Sequence, residues 1–357
     1  MPVKDFAVDK SKFINVSQIG GIEAYTLDEG QGRGSRVLCV NTGGGLRYRV
    51  LADRGLDIDQ AFIHQHSLSF LTYNGATPPT RALDRGPDWL KSFAGGLLTS
   101  CGPFGMGAPC TDNGEECGLH GPHSNTAASI ESIVQPDPQR GQMDMIVVGR
   151  VRYGAFYGPC AELKRTIRST LGGNAIHVTD EFYNAHNVSV PHAYLLHINF
   201  GYPLCDAGSE ICADLERVEP QAGSEPTATR YATDKWRVMP EALKEHSGPT
   251  SWVGYLFPTV DKFGLATAGI VNRNLGIGAS VRYSPREFCR LVNWQHWGGG
   301  EYVTALEPAT GVVEGRDKNR ALGLLQQWKP GEIKRYTYTI AAHTARDEVA
   351  ALRALNG

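Results

Sequence analysis

The chain has 357 residues, is 41% hydrophobic and 20% charged, and carries a formal net charge of -2. That balance suits a globular protein with a sizeable core. It excludes general binding to nucleic acid or to an anionic membrane surface, since both need a clustered basic excess.

No apolar run approaches the roughly 18 residues that span a bilayer. The opening MPVKDFAVDKSKF lacks the apolar centre of a secretory signal, so a cytoplasmic location is expected. Eight cysteines are too sparse for a disulfide scaffold and read as reduced thiols.

In chain order, GIEAYTLDEG, SRVLCVNTGG and LRYRVLADRG read as short strands bounded by glycine turns. A further strand follows the Arg54-Gly55 turn, and His64 and His66 within it read as structural. Residues 72–85 form a Pro/Gly/Thr/Asp loop, and PDWLKSFAGGLL a short helix broken at Gly95-Gly96. Residues 99–129 show neither period and read as a long functional loop.

Alternation returns in DMIVVGRVRYG, CAELKRTIRSTLG and NAIHVTDEFYNA. An apolar stretch, HAYLLHINFGYPL, then delivers His197. Residues 206–225 read as a polar surface excursion. WVGYLFPTV, FGLATAGIVN, GIGASVRYS, EFCRLVNW, YVTALE and IKRYTYTIAAH read as the remaining strands, and ARDEVAALRALNG as a terminal helix. No 20–50 residue repeat is present. Many short strands and few helices indicate one all-β domain over 1–357, a large antiparallel β-sandwich.

The stretch 293–311, NWQHWGGGEYVTALEPATG, concentrates the chemistry. A Trp-rich, glycine-loosened loop is expected to run into a short strand that ends in Glu307, with Pro308 disfavouring helix beyond it.

Three patches in order resemble the aldose 1-epimerase (galactose mutarotase-like) superfamily. HINFGYPL resembles the element that supplies the catalytic acid, which places that role on His197. GLHGPHSN resembles the element whose histidine contacts the sugar, here His120. YVTALEP resembles the strand that ends in the catalytic base, here Glu307. The closing run GRDKNRALGLLQQWKPGEIKRYTYTI is similar to that family's ending, and ADRGLDI, with Arg54, resembles the N-terminal element of an uncharacterised bacterial branch. Leu196 and Gly201 stand where the family usually has asparagine.

The resemblance implies a mutarotase-type β-sandwich (a supersandwich with few short helices) and an isomerase of carbohydrate metabolism, without metal or organic cofactor. Its partner would be a small-molecule carbohydrate; an exposed strand edge leaves room for a homodimer. Ring opening needs one group to protonate the ring oxygen and another to take the anomeric proton, tasks that histidine and glutamate suit. His197 and Glu307 are expected to face each other across the sugar, each favouring the other's charged form. Arg54, His120 and Asn199 would hold hydroxyls, and Trp294 or Trp297 would stack on the ring.

Two other readings use the same cleft: an isomerase, lyase or hydrolase on a modified sugar such as a keto-sugar, and a sugar-binding protein without turnover. Cys101, Cys110, Cys117, His120 and His123 lack the paired CxxC spacing of structural zinc sites, so no metal is expected there.

Overall fold

The computed structural model describes residues 8–244 and 251–357. Three antiparallel sheets carry the architecture. A five-stranded sheet runs Gly21–Thr26, Arg36–Asn41, Leu46–Leu51, Asp57–Ile63, His66–Ser67. An eight-stranded sheet has the order Glu210–Ala213, Ala266–Asn272, Ile277–Tyr283, Ile333–His343, Ala175–Asn184, Ala161–Thr170, Asp144–Tyr153, Ala128–Val134. The six-stranded sheet has the order Leu215–Pro220, Ser251–Pro258, Arg290–Gly298, Glu301–Ala309, Leu195–Gly201, Thr99–Cys101.

Side chains of all three sheets interdigitate in one apolar core, among them Val50, Ile58, Leu163, Val178, Leu196, Ile198, Phe200 and Leu306. Burying each large apolar side chain contributes about 1.5–3 kcal/mol. Isolated bridges, Ile58 with Leu98 and Ser69 with Phe200, tie the five-stranded sheet to the six-stranded one.

Period-2 alternation explains the long strands: 161–170 buries every second residue, from Ala161 to Ser169. The strand Leu195–Gly201 is buried on both faces. Its even residues enter the main core, while Leu195 joins a second cluster with Trp89, Phe93, Met106, Tyr255 and Val292 on the other face.

Several expectations need correction. The Trp-rich stretch is not a loop, because Arg290–Gly298 is a continuous strand. Its inward positions are partly polar: Asn293 donates to Ala305 O and Gln295 to Trp236 O. These inward amides hide the apolar alternation. Glu307 does not end its strand, which continues to Ala309 with Pro308 opposite Leu291. The 99–129 region contains the strand Thr99–Cys101 and the hairpin Cys110–Asp112/Glu115–Cys117. Within the supposed excursion, Glu210–Ala213 and Leu215–Pro220 are edge strands; the first is short and mostly buried, and exposed charges mask the period of the second.

The tail does form a helix, Arg346–Arg353, whereas the helices Glu225–Tyr231 and Arg316–Ala321 lacked a legible period. The expected helix near 87–98 is a single 3-10 turn, Asp88–Lys91. Among the described residues no helix is long and apolar enough to cross a membrane.

Candidate active site

Two strands bring His197 and Glu307 together. Their register sets Leu195 opposite Ala309 and Ile198 opposite Leu306, which leaves His197 directly across from Glu307. Directly opposed side chains on one face are nearest neighbours. His197 Nε2 lies 3.3 Å from Glu307 Oε1. The same row continues to Thr99 on one side and to Val292 and Tyr255 on the other.

The pair therefore stands side by side, with no sugar's width between its members. This corrects the expectation that they face each other across a sugar. Adjacent groups of this kind can act together on two oxygens of one carbon.

Rings surround the imidazole. Phe93 and Trp294 centre 5.4 Å from it and His120 5.5 Å, and Trp89 packs on both Phe93 and His120 at 4.7 Å. His120 reaches this place through a left-handed backbone, φ 60°. Its Nδ1 accepts from the Gly107 N–H at 3.3 Å, which leaves the ring proton on Nε2. His197 is 6% exposed and Glu307 2%, while His120 and Trp294 are half-buried and form the rim.

Two clefts lie away from the pair. One of about 470 Å³ follows the first four strands, and one of about 460 Å³ opens beside Phe70, Tyr202 and Tyr302.

Electrostatics corrects a second expectation. Burial, reinforced by nearby His120, lowers the His197 pKa to about 3, and Asn199 opposes this. Burial alone raises the Glu307 carboxyl well above the ordinary carboxylate range. Their contact would favour an ion pair, yet neither Glu307 Oε1 nor His197 Nδ1 has a hydrogen-bond partner. An ion pair so poorly solvated and so little hydrogen-bonded does not recover its desolvation cost. Burial thus favours the neutral form of each member of the pair.

Of the other sequence candidates, Asn199 is fully buried beside the pair, and its Nδ2 donates to Gly96 O and His197 O. It is directed inward rather than to a ligand. The buried Arg54 guanidinium donates to Asn125 Oδ1, Thr77 Oγ1 and Ser92 O, which makes it a brace for three loops. Burial lowers its pKa to about 10. Trp297 turns into the main core and donates to Gln295, leaving Trp294 as the tryptophan of that strand at the site.

The Cys/His stretch does not converge. His123 is bound to Tyr153 and Gly55 O, and Cys101 is buried in its strand. Among the described residues no group of three or more ligands is placed to hold a metal.

A buried ionic network went unread in the sequence. Arg165 pairs directly across the ladder with Asp180, bonding it at 2.7 and 3.0 Å, and also reaches Asp57, Ser100 and Tyr194. Strand phase marks it: Arg165 and Asp180 both fall on the inward, apolar phase of adjacent strands. Trp89 and Phe93 were likewise missed, because nothing in a short 3-10 turn or the segment after it signals which way a ring points.

Known proteins share the fold. A family model described as a domain of unknown function, DUF4432, matches residues 32–342. No curated protein matches the sequence. Solved structures with a similar fold include a candidate aldose 1-epimerase from Klebsiella pneumoniae, with TM-score 0.85 and 21% identity over 96% of this chain and 89% of that one. A galactose mutarotase-like protein from Clostridium acetobutylicum has TM-score 0.60 and 12% identity, covering 91% and 98%. The GalM/aldose epimerase homologue from C. elegans has TM-score 0.52 and 11% identity, covering 85% and 97%. At these identities the likeness is one of fold.

Proposed function

Because the chain belongs to the DUF4432 family and has a galactose mutarotase-like fold, we propose that it is an aldose 1-epimerase-like isomerase that interconverts the anomers of a free sugar or sugar derivative. The observation that carries this reading is the 3.3 Å contact between His197 Nε2 and Glu307 Oε1 inside an aromatic surround. One group that gives a proton and one that accepts it, side by side, match a ring oxygen and an anomeric hydroxyl borne by the same carbon.

The resemblance assigns the acid to His197 and the base to Glu307. A single proton shift from Glu307 to Nε2 converts the neutral resting pair into that form. Sugar hydroxyls that bond the nascent carboxylate would favour the shift. After ring opening, rotation about the first carbon–carbon bond and reclosure return both protons. His120 Nε2–H and the Trp294 ring would receive the sugar at the rim.

Anomeric exchange measured by NMR across free aldoses and keto-sugars tests the proposal. Glu307→Gln and His197→Asn should each lose about 10²–10⁴ in exchange rate while still binding the sugar by titration. Binding without exchange in the unaltered protein would leave a sugar-binding protein instead.

A further inference from the structure

The hairpin Cys110–Asp112/Glu115–Cys117 has no part in the acid–base pair, yet it sets two free thiols directly against each other. Its register places Cys110 opposite Cys117. Asn113 and Gly114 both take positive φ, 52° and 80°, as a two-residue type I′ turn requires, so the register is fixed by the turn. Opposed Cα atoms in an antiparallel ladder lie about 4.5–5.5 Å apart. A disulfide accepts Cα separations of roughly 4.4–6.8 Å.

Both thiols are half-buried, and the Cys117 thiol donates to Glu115 O at 3.6 Å. The hairpin is clamped from outside: Arg316 Nε donates to Asp112 at 2.7 Å and Nη2 to Glu115 at 2.6 Å, and Arg320 Nε donates to Asp112 at 2.7 Å. Opposed Cβ atoms lie about 4.5–5.5 Å apart and a disulfide takes about 3.5–4.5 Å, so the ladder closes by about 1 Å as the sulfurs join.

We propose that Cys110 and Cys117 form a reversible disulfide, a modification site for small-molecule disulfides of the oxidised-glutathione class. One cysteine thiolate attacks a sulfur of the external disulfide and expels one thiolate. The second cysteine thiolate then attacks the protein sulfur of the mixed disulfide and expels the other. The two cysteines lose two electrons and two protons, and the reagent leaves as two thiols.

Burial holds the Cys117 thiol up at about 12, with Arg316 opposing and Cys110 adding to the rise. The exchange is accordingly slow, and the neutral disulfide removes the need to bury a thiolate. The closed ring lies three residues before His120, whose N–H and Nδ1 fasten to Gly107 at the base of the same loop. Oxidation thereby staples the segment that presents His120. The disulfide itself does not depend on what His120 binds.

Native protein would be equilibrated with mixtures of oxidised and reduced glutathione, alkylated, and mapped by mass spectrometry. The expected result is a linked 110/117 peptide that has lost two hydrogens and no longer alkylates, with both thiols restored by dithiothreitol. Far-UV circular dichroism should be unchanged. In Cys110→Ser the remaining Cys117 should take up glutathione or stay alkylatable. The exposed Cys160 and Cys289 report that the oxidant has acted. If they are glutathionylated while Cys110 and Cys117 still alkylate fully, or if either hairpin cysteine pairs elsewhere, the proposal is overturned.

Discussion

At the scale of single residues, Asn199 explains how a histidine so reluctant to take a proton is kept in one orientation. Its Nδ2 is committed to two backbone carbonyls, so the amide cannot flip without losing both. Its Oδ1 and the His197 Nδ1 are both buried without a formed hydrogen bond, and the amide raises the imidazole's affinity for a proton. A ring proton drawn to Nδ1 by that bias would leave Nε2 open toward Glu307. In the neutral pair the acid limb of activity belongs to His197, whose pKa is lowered to about 3, and the alkaline limb to Glu307, which is raised. Exchange rate should therefore not fall as pH drops through 6.5, where an ordinary histidine titrates (about 6.5). Asn199→Asp places a carboxylate beside the ring and should move the acid limb upward by about one unit or more. A wild-type acid limb near pH 6.5, or an unmoved acid limb in Asn199→Asp, would remove Asn199 from this role.

At the scale of elements, what the sequence disclosed and what it hid follow one physical rule. Strands that bury one face were legible because polarity alternates along them, as in Asp144–Tyr153 and Ala161–Thr170. The strand Leu195–Gly201 was legible as a continuous apolar run, and His197 and Glu307 stood out against their apolar neighbours. Edge strands with charged exposed faces were hidden, as was the strand carrying Trp294, whose inward side holds Asn293 and Gln295. Contacts between sheet and loop were out of reach, because they depend on long-range closure. His120 is the example, since its place is set by the Gly107 N–H and a left-handed backbone. Gly107 has φ +78°, and a Cβ there would lie 2.3 Å from Val313 O. Gly107→Ala should cost on the order of 2–3 kcal/mol from the conformational penalty and the clash. Urea unfolding would show it, and a midpoint within error of wild type would mean that the 107–120 loop is not packed as described.

At the scale of the molecule, the sandwich is pinned through its centre by charge as well as by apolar contact. Arg165 and Asp180 lie on neighbouring strands of the eight-stranded sheet. The guanidinium also reaches Asp57 of the five-stranded sheet and Ser100 of the six-stranded one, so one side chain bridges all three. Burial would lower the Arg165 pKa, but Asp180 and the surrounding tyrosines carry it well above its usual value, so the guanidinium stays charged. Asp57 answers in kind: burial pushes its carboxyl up, yet His123, Arg165 and Ser100 bring it below the ordinary value. Such a network specifies how the sheets seat on one another more than it adds net stability, because desolvation offsets most of the attraction. Removing one partner differs from removing the pair. Arg165→Met leaves Asp180 and Asp57 buried without their cation, and should destabilise by about 3–5 kcal/mol. Arg165→Met with Asp180→Leu removes the principal stranded charge and should recover a sizeable part of that loss, with a coupling of roughly 1–3 kcal/mol. Chemical denaturation of the two single variants and the double variant closes the cycle. If the losses simply add, the two side chains act independently and the sheets are held by apolar packing alone.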